Sequence, residues 1–217
     1  MVLKKLERKI SWDLYLTAFI ISLVIFGVGI WVGLQIEQEV NSQLIQNIQS
    51  TNNKMLLLSN LMLLENDSAF CRYMEKEMSV FDDETYQIGK QIGFMEEKRG
   101  IDEDLKKTYM ELEFRDYLLS KKINEKCNSK QNIILYFVSS SNCSICKEQG
   151  EKISAAKEGT NTRVYTFDID IESELINSLL QKYNISRTPS IIINDKKIYS
   201  GHEEVVTTEE IKLKLVS

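Results

Sequence analysis

From Leu14 to Leu34 the chain reads LYLTAFIISLVIFGVGIWVGL, without one charged residue. Backbone in hydrocarbon must satisfy its own polar groups, so a run like this is a helix, and as a helix it covers about 31 Å, the depth of a bilayer core. It is expected to be a transmembrane helix. Trp12, Tyr15 and Trp31 lie near its ends, where amphipathic rings prefer the membrane interface. Lys4, Lys5, Arg8 and Lys9 precede the run, and Glu37 and Glu39 follow it. The preference for positive residues inside then predicts a single-pass signal anchor in the cytoplasmic membrane, with the N-terminus in the cytoplasm and the chain outside from about residue 37. A cleaved signal peptide is the competing reading, but the run exceeds the roughly 7–15 apolar residues of such a peptide and no A-x-A site follows. Gly29 and Gly33 form a G-x-x-x-G, which reads as ordinary membrane-span composition.

The span divides the chain into an expected basic N-terminus at 1–13, the span at 14–34, an all-helical spacer at 35–129 and a C-terminal domain at 130–217. The formal charge is −5 although the N-terminus is basic, so the remainder is distinctly acidic. That excludes nucleic acid as a partner, since its phosphates need a basic face. Ile36, Val40, Leu44 and Ile48 recur every four residues and predict a helix leaving the bilayer, which Asn52-Asn53 is expected to interrupt. Met55 to Leu64 is apolar on nearly every side and predicts a helix that is buried or set against a partner or lipid. Asp67 or Ser68 is expected to cap a helix running to about Val80. Asp82 or Asp83 would cap another through Arg99, closed by Gly100, and Asp102 would open a third ending near Lys126. Met55, Met62, Met74, Met78 and Met95 read as helix core. The charged stretch Glu96 to Glu113 reads as a wetted helix face with pairs such as Asp102 and Lys106.

From Asn132 the texture changes. Ile133 to Val138 is a short aliphatic and aromatic run that suits a buried central strand. A helix at 144–157, a strand at Arg163–Phe167, a helix from Glu172 to Tyr183, strands at Ser190–Ile193 and Lys196–Ser200, and a closing helix from Thr207 or Thr208 follow. The order β-α-β-α-β-β-α predicts a small α/β domain with a central sheet and helices on both faces.

Four cysteines outside the cytoplasm are expected to pair, and three pairings exist in principle. Spacing favours Cys143 with Cys146, which leaves Cys71 with Cys127. The first pair stands at the end of the central strand and at the start of a helix, where the helix end lowers a thiol's pKa and favours attack as thiolate. The sole proline of the chain, Pro189, follows Thr188 immediately before a strand. A chain that places its one proline there is fixing a special peptide bond.

Strand, Cys143-x-x-Cys146 and helix, then Tyr183-Asn-Ile-Ser-Arg-Thr188-Pro189-Ser190 entering a strand, then Gly201 after the next strand, resemble the thioredoxin-like family over about residues 130–217. The resemblance implies a central mixed sheet with flanking helices and thiol–disulfide oxidoreductase activity, with electron flow open between oxidase, reductase and isomerase. It implies that Cys143 is the exposed nucleophile and Cys146 the resolving thiol. It also implies that Thr188-Pro189 is cis, with Thr188 and Pro189 binding an extended substrate segment. Phe137 stands where thioredoxin has a buried Asp, Asn142 where many relatives have Trp, and Ser144-Ile145 in place of the familiar dipeptides.

No cofactor and no metal is expected. A four-cysteine zinc site would require Cys71 and Cys127 to converge on the other pair, and the single histidine, His202, reads as solvated. The expected partners are exported client proteins, a redox partner of unassigned identity and the lipid bilayer. Cys71 and Cys127 read as a structural disulfide, with a redox relay as the alternative. Asp168 and Asp170 read as acids that cap a turn. A different class of function is a non-enzymatic, membrane-anchored assembly or binding protein that uses the thioredoxin fold as a scaffold.

Overall fold

A computed structural model describes residues 12–64, 68–99, 103–201 and 205–216. Lys4, Lys5, Arg8, Lys9, Asp67, Gly100, Asp102 and His202 lie outside the described residues. The elements are α1 (Trp12–Leu64), α2 (Ser68–Arg99), α3 (Glu103–Cys127), β1 (Asn132–Val138), α4 (Cys146–Lys157), β2 (Thr162–Asp168), α5 (Glu174–Lys182), β3 (Ser190–Ile193), β4 (Lys196–Ser200) and α6 (Thr208–Val216).

The chain divides into units 1–46 and 47–217. In the first, the N-terminal part of α1 is long and apolar enough to cross a membrane. Its large apolar side chains are exposed throughout, with Phe26 at 70% and Trp31 at 63%.

The second unit begins with side-by-side helices. Ile48, Thr51, Met55, Leu58 and Met62 of α1 are buried at alternating steps of three and four, as are Met74, Met78, Phe81, Thr85, Ile88 and Ile92 of α2. That average of 3.5 residues per repeat is the seam of helices packed lengthwise. Glu84 of α2 binds Lys54 and Thr51 of α1 across it. The seam explains why two expected helix breaks are missing. α1 runs through Asn52-Asn53, because Asn52 Oδ1 accepts a hydrogen bond from Arg115 of α3 at 2.7 Å and leaves its own backbone helical. α2 runs through Asp82-Asp83, because Phe81 and Thr85 continue the buried seam while Asp82 faces Arg163 of β2. Of the apolar stretch 55–64, Met55, Leu58 and Met62 are buried but Leu56, Leu57 and Leu63 are exposed.

The sheet order is β2-β1-β3-β4, with β1 parallel to β2 and antiparallel to β3, and β3 antiparallel to β4. Side chains alternate across a strand. Ile133, Leu135 and Phe137 of β1 therefore enter one core with α3 and α5, while Ile134 and Tyr136 enter the other with α4 and α6. Met110, Phe114 and Tyr117 of α3 belong to the first core. The change of texture at residue 130 thus marks a switch from helix to strand period, whereas the packing is continuous across it.

Candidate redox site

β1 ends at Val138 and delivers a serine-rich loop whose polar groups are bound from the end of β2 and the turn after it. Ser139 Oγ donates to both oxygens of Asp170, at 2.9 and 3.1 Å, and Ser141 N donates to Asp170 at 2.8 Å. Asn142 N donates to Ser139 Oγ at 2.9 Å. Slight burial would raise the Asp170 carboxyl, but the hydrogen bonds from the three serines outweigh it and hold it below the usual range. Asp168 Oδ1 accepts from Ser140 N at 3.3 Å and from Asp170 N at 3.0 Å. The two acids therefore shape the loop that carries Cys143.

Cys143 and Cys146 are joined as a disulfide, with Cys143 half-buried and Cys146 8% exposed. The first sulfur is the one a large substrate can approach. α4 starts at Cys146, and Ile145 at its N-cap makes no side-chain cap bond. Its first-turn amides receive no bond from the N-cap side chain and point toward the start of the helix. Tyr136 OH, from the middle of β1, donates to Cys146 O at 2.6 Å and fixes the helix start. Gln149, fully buried one turn on, pairs in both directions with the backbone of Val206, at 2.7 and 3.2 Å, and ties α4 to the loop before α6.

The Thr188-Pro189 bond is cis, Pro189 is buried and Thr188 is half-buried. Ser190 pairs with Phe137, so Pro189 lies at the sheet end from which the Cys143 loop departs. Gly201 N donates to Pro189 O at 2.8 Å. Gly201 has φ +59°, and a Cβ there would stand 2.2 Å from Arg187 Cβ, so only glycine closes this loop without strain. Phe137 is fully buried against Phe167, ring centroids 5.8 Å apart, so an aromatic pair fills the strand position beneath the loop.

The family profile described as Thioredoxin domain matches residues 133–216. The C-terminal domain is thioredoxin-like. A solved thioredoxin-2, described as a component of malaria parasite protein secretion machinery, is similar at 21% identity over 38% of this chain and 79% of its own, with a TM-score of 0.30. No curated protein matches the chain.

The second disulfide of the protein, Cys71–Cys127, joins the start of α2 to the end of α3 with Cα atoms 5.5 Å apart. α3 ends shortly before β1 begins, so this bond belongs to the opposite end of the sheet from Cys143, about 20 Å away along β1. Among the described residues no group of three or more His, Cys, Asp and Glu side chains is arranged to hold a metal ion.

Sequence reasoning missed the buried charges that the helices bring to the thioredoxin-like domain. Lys106 is 7% exposed and binds Asp168 at 2.5 Å and Glu96 at 2.6 Å. The stretch expected to be wetted is thus partly interior. Burial works to lower the Lys106 pKa, but hydrogen bonds and charge from Asp168 and Glu96 leave it raised. Further along α3, Glu113 accepts from Tyr109 OH at 2.7 Å, and Asp116 pairs with Arg163 at 3.1 Å. Arg163 also lies 3.2 Å from Asp82 and donates to Ser120 and to the carbonyl of Met78. Burial pushes Glu113 up to about 8; it pushes Asp116 up to about 7 although Arg163 pulls the other way. One signal was available. Lys106, Tyr109, Glu113, Asp116 and Ser120 follow helical spacing, so a polar line on one face of α3 runs beside its apolar one.

Proposed function

We propose that the protein is a membrane-tethered, extracytoplasmic thiol–disulfide oxidoreductase that exchanges disulfides in exported proteins. The thioredoxin-like domain supports redox chemistry in general, and the reading rests above all on the unequal burial of its Cys143–Cys146 pair. With the pair reduced, the Cys143 thiolate attacks one sulfur of a client disulfide, forming a mixed disulfide and releasing the other client sulfur as thiolate. Cys146 then attacks Cys143 as a thiolate, its proton passing to solvent, and the first client sulfur leaves to take up a proton. Two electrons have moved to the client, and Cys143–Cys146 is a disulfide. The opposite direction runs through the same intermediate.

Thr188 and Pro189 serve as the edge on which an extended client segment lies, since they sit at the same sheet end as Cys143. Cys71–Cys127 acts as a structural bond. The apolar part of α1 crosses the membrane, with the basic N-terminus inside, and tethering keeps the domain near newly exported chains.

The experiment is client trapping in intact cells. Cys146→Ser should accumulate mixed disulfides with exported proteins, and Cys143→Ser should accumulate none. Residues 130–217 should be digested by protease added outside sealed spheroplasts. A domain protected from protease rejects the topology, and function that survives Cys143→Ala makes the chain a scaffold instead.

A further inference from the structure

We propose that Lys106 of α3, assisted by Glu96 of α2, is a positioning residue that sets the redox equilibrium of Cys143 and Cys146 through Asp168; this deepens the oxidoreductase reading and rests on it. An ammonium held at 7% exposure is costly unless it is paired, and Lys106 has two carboxylates within 2.6 Å. Stability alone is a weak reason for such a pair, because an apolar side chain of the same size serves packing as well or better. Lys106 also lies near the start of α3, where a cation opposes the helix dipole. What the arrangement supplies is direction.

Asp168 is 1% exposed and its two oxygens do different work. Oδ2 is held by Lys106, which leaves Oδ1 facing the backbone N–H groups of Ser140 and Asp170. Asp170 in turn holds Ser139 and Ser141. A chain of charge-assisted bonds therefore runs from α2 through α3 to the loop just before Cys143.

The consequence is thermodynamic. Reduction of Cys143–Cys146 takes two electrons and two protons and yields two thiols, and the equilibrium depends on how closely the fold holds one sulfur to the other. Loosening the loop lowers that effective concentration and makes the disulfide easier to reduce.

The test uses the full-length chain in nanodiscs, equilibrated with glutathione buffers and read by mass-resolved alkylation of the peptide that bears Cys143 and Cys146. Lys106→Met should shift the equilibrium toward the dithiol by about tenfold, which is about 30 mV. Lys106→Met combined with Asp168→Asn leaves no lone buried charge and should shift it as far, so it decides the matter if the single variant does not fold. Lys106→Arg should return the equilibrium to within about twofold of the parent. Asp116→Asn, in the other buried network of α3, should leave the equilibrium unmoved. The proposal is overturned if folded Lys106→Met, alone or combined with Asp168→Asn, stays within about twofold of the parent, or if Asp116→Asn moves the equilibrium equally. A dithiol has a measurable potential whether or not it turns over clients. Failure of the oxidoreductase reading would therefore appear separately, as a parent chain with no exchange activity.

Discussion

The two disulfides contain the same bond in different settings. Cys143–Cys146 spans a sequence separation of 3 and closes almost no loop, so its formation restricts the unfolded chain little. Cys71–Cys127 spans 56 and ties α2 to α3 at the far end of the sheet. The first has one sulfur open to approach at the start of a helix, and the second fastens two helices. Sequence separation and burial, more than the sulfur chemistry, distinguish the two: half-buried Cys143 is joined to buried Cys146, whereas Cys71 and Cys127 are both half-buried.

The largest expected effect tests the exchange side. Cys143→Ser should reduce dithiol–disulfide exchange by about a thousandfold or more, because the half-buried sulfur of the pair is gone; activity within tenfold of the parent in a reductase assay would end the comparison. Next comes the fastening side. Replacing both Cys71 and Cys127 by Ala should cost about 2–4 kcal/mol, visible as a melting temperature about 6–12 °C lower, while exchange stays within about twofold. Loss of exchange at a temperature where that variant is folded would make the second pair a relay.

A smaller effect sharpens what else holds α3 to the sheet. Burial raises the Glu113 and Asp116 carboxyls to about 8 and about 7, so between the usual carboxylate range and pH 8 the native chain retains protons that the unfolded chain has lost. Their contribution is fully present below about pH 4 and is lost as pH rises through 7 to 8. Glu113→Gln cannot ionise and should flatten that decline, gaining about 1–2 kcal/mol at pH 8, or about 3–6 °C. A melting curve that falls with pH as steeply as the parent's would show that Glu113 does not carry the effect. The smallest effect belongs to the exposed pair Lys147–Glu97, at 3.8 Å, which joins the start of α4 to α2. Lys147→Ala should change stability by less than about 0.5 kcal/mol. A larger loss in the same melting assay would mark the pair as a real latch.

The redox half was legible because its signals are local. A Cys-x-x-Cys after a buried strand and one proline before another need no knowledge of distant contacts, and β3 and β4 lie where their residues predict. The helical half was harder. Asn52 and Asp82 look like helix breakers until Arg115 and Arg163 occupy their side chains, and those partners lie far along the chain. Lys106 reads as a surface charge for the same reason, since its burial depends on Asp168 at a sequence separation of 62. A polar residue announces its own chemistry, whereas its surroundings are decided elsewhere.

The participation of α3 in the core has an evolutionary and practical consequence. A gene fragment opening at residue 130 would encode a sheet stripped of Met110, Phe114 and Tyr117 on one flank. Such a cassette would be sticky and poorly soluble when expressed alone, and it could not be moved into another chain by recombination without α3. Helix α3 and the sulfur-bearing sheet must be inherited, and engineered, as one unit.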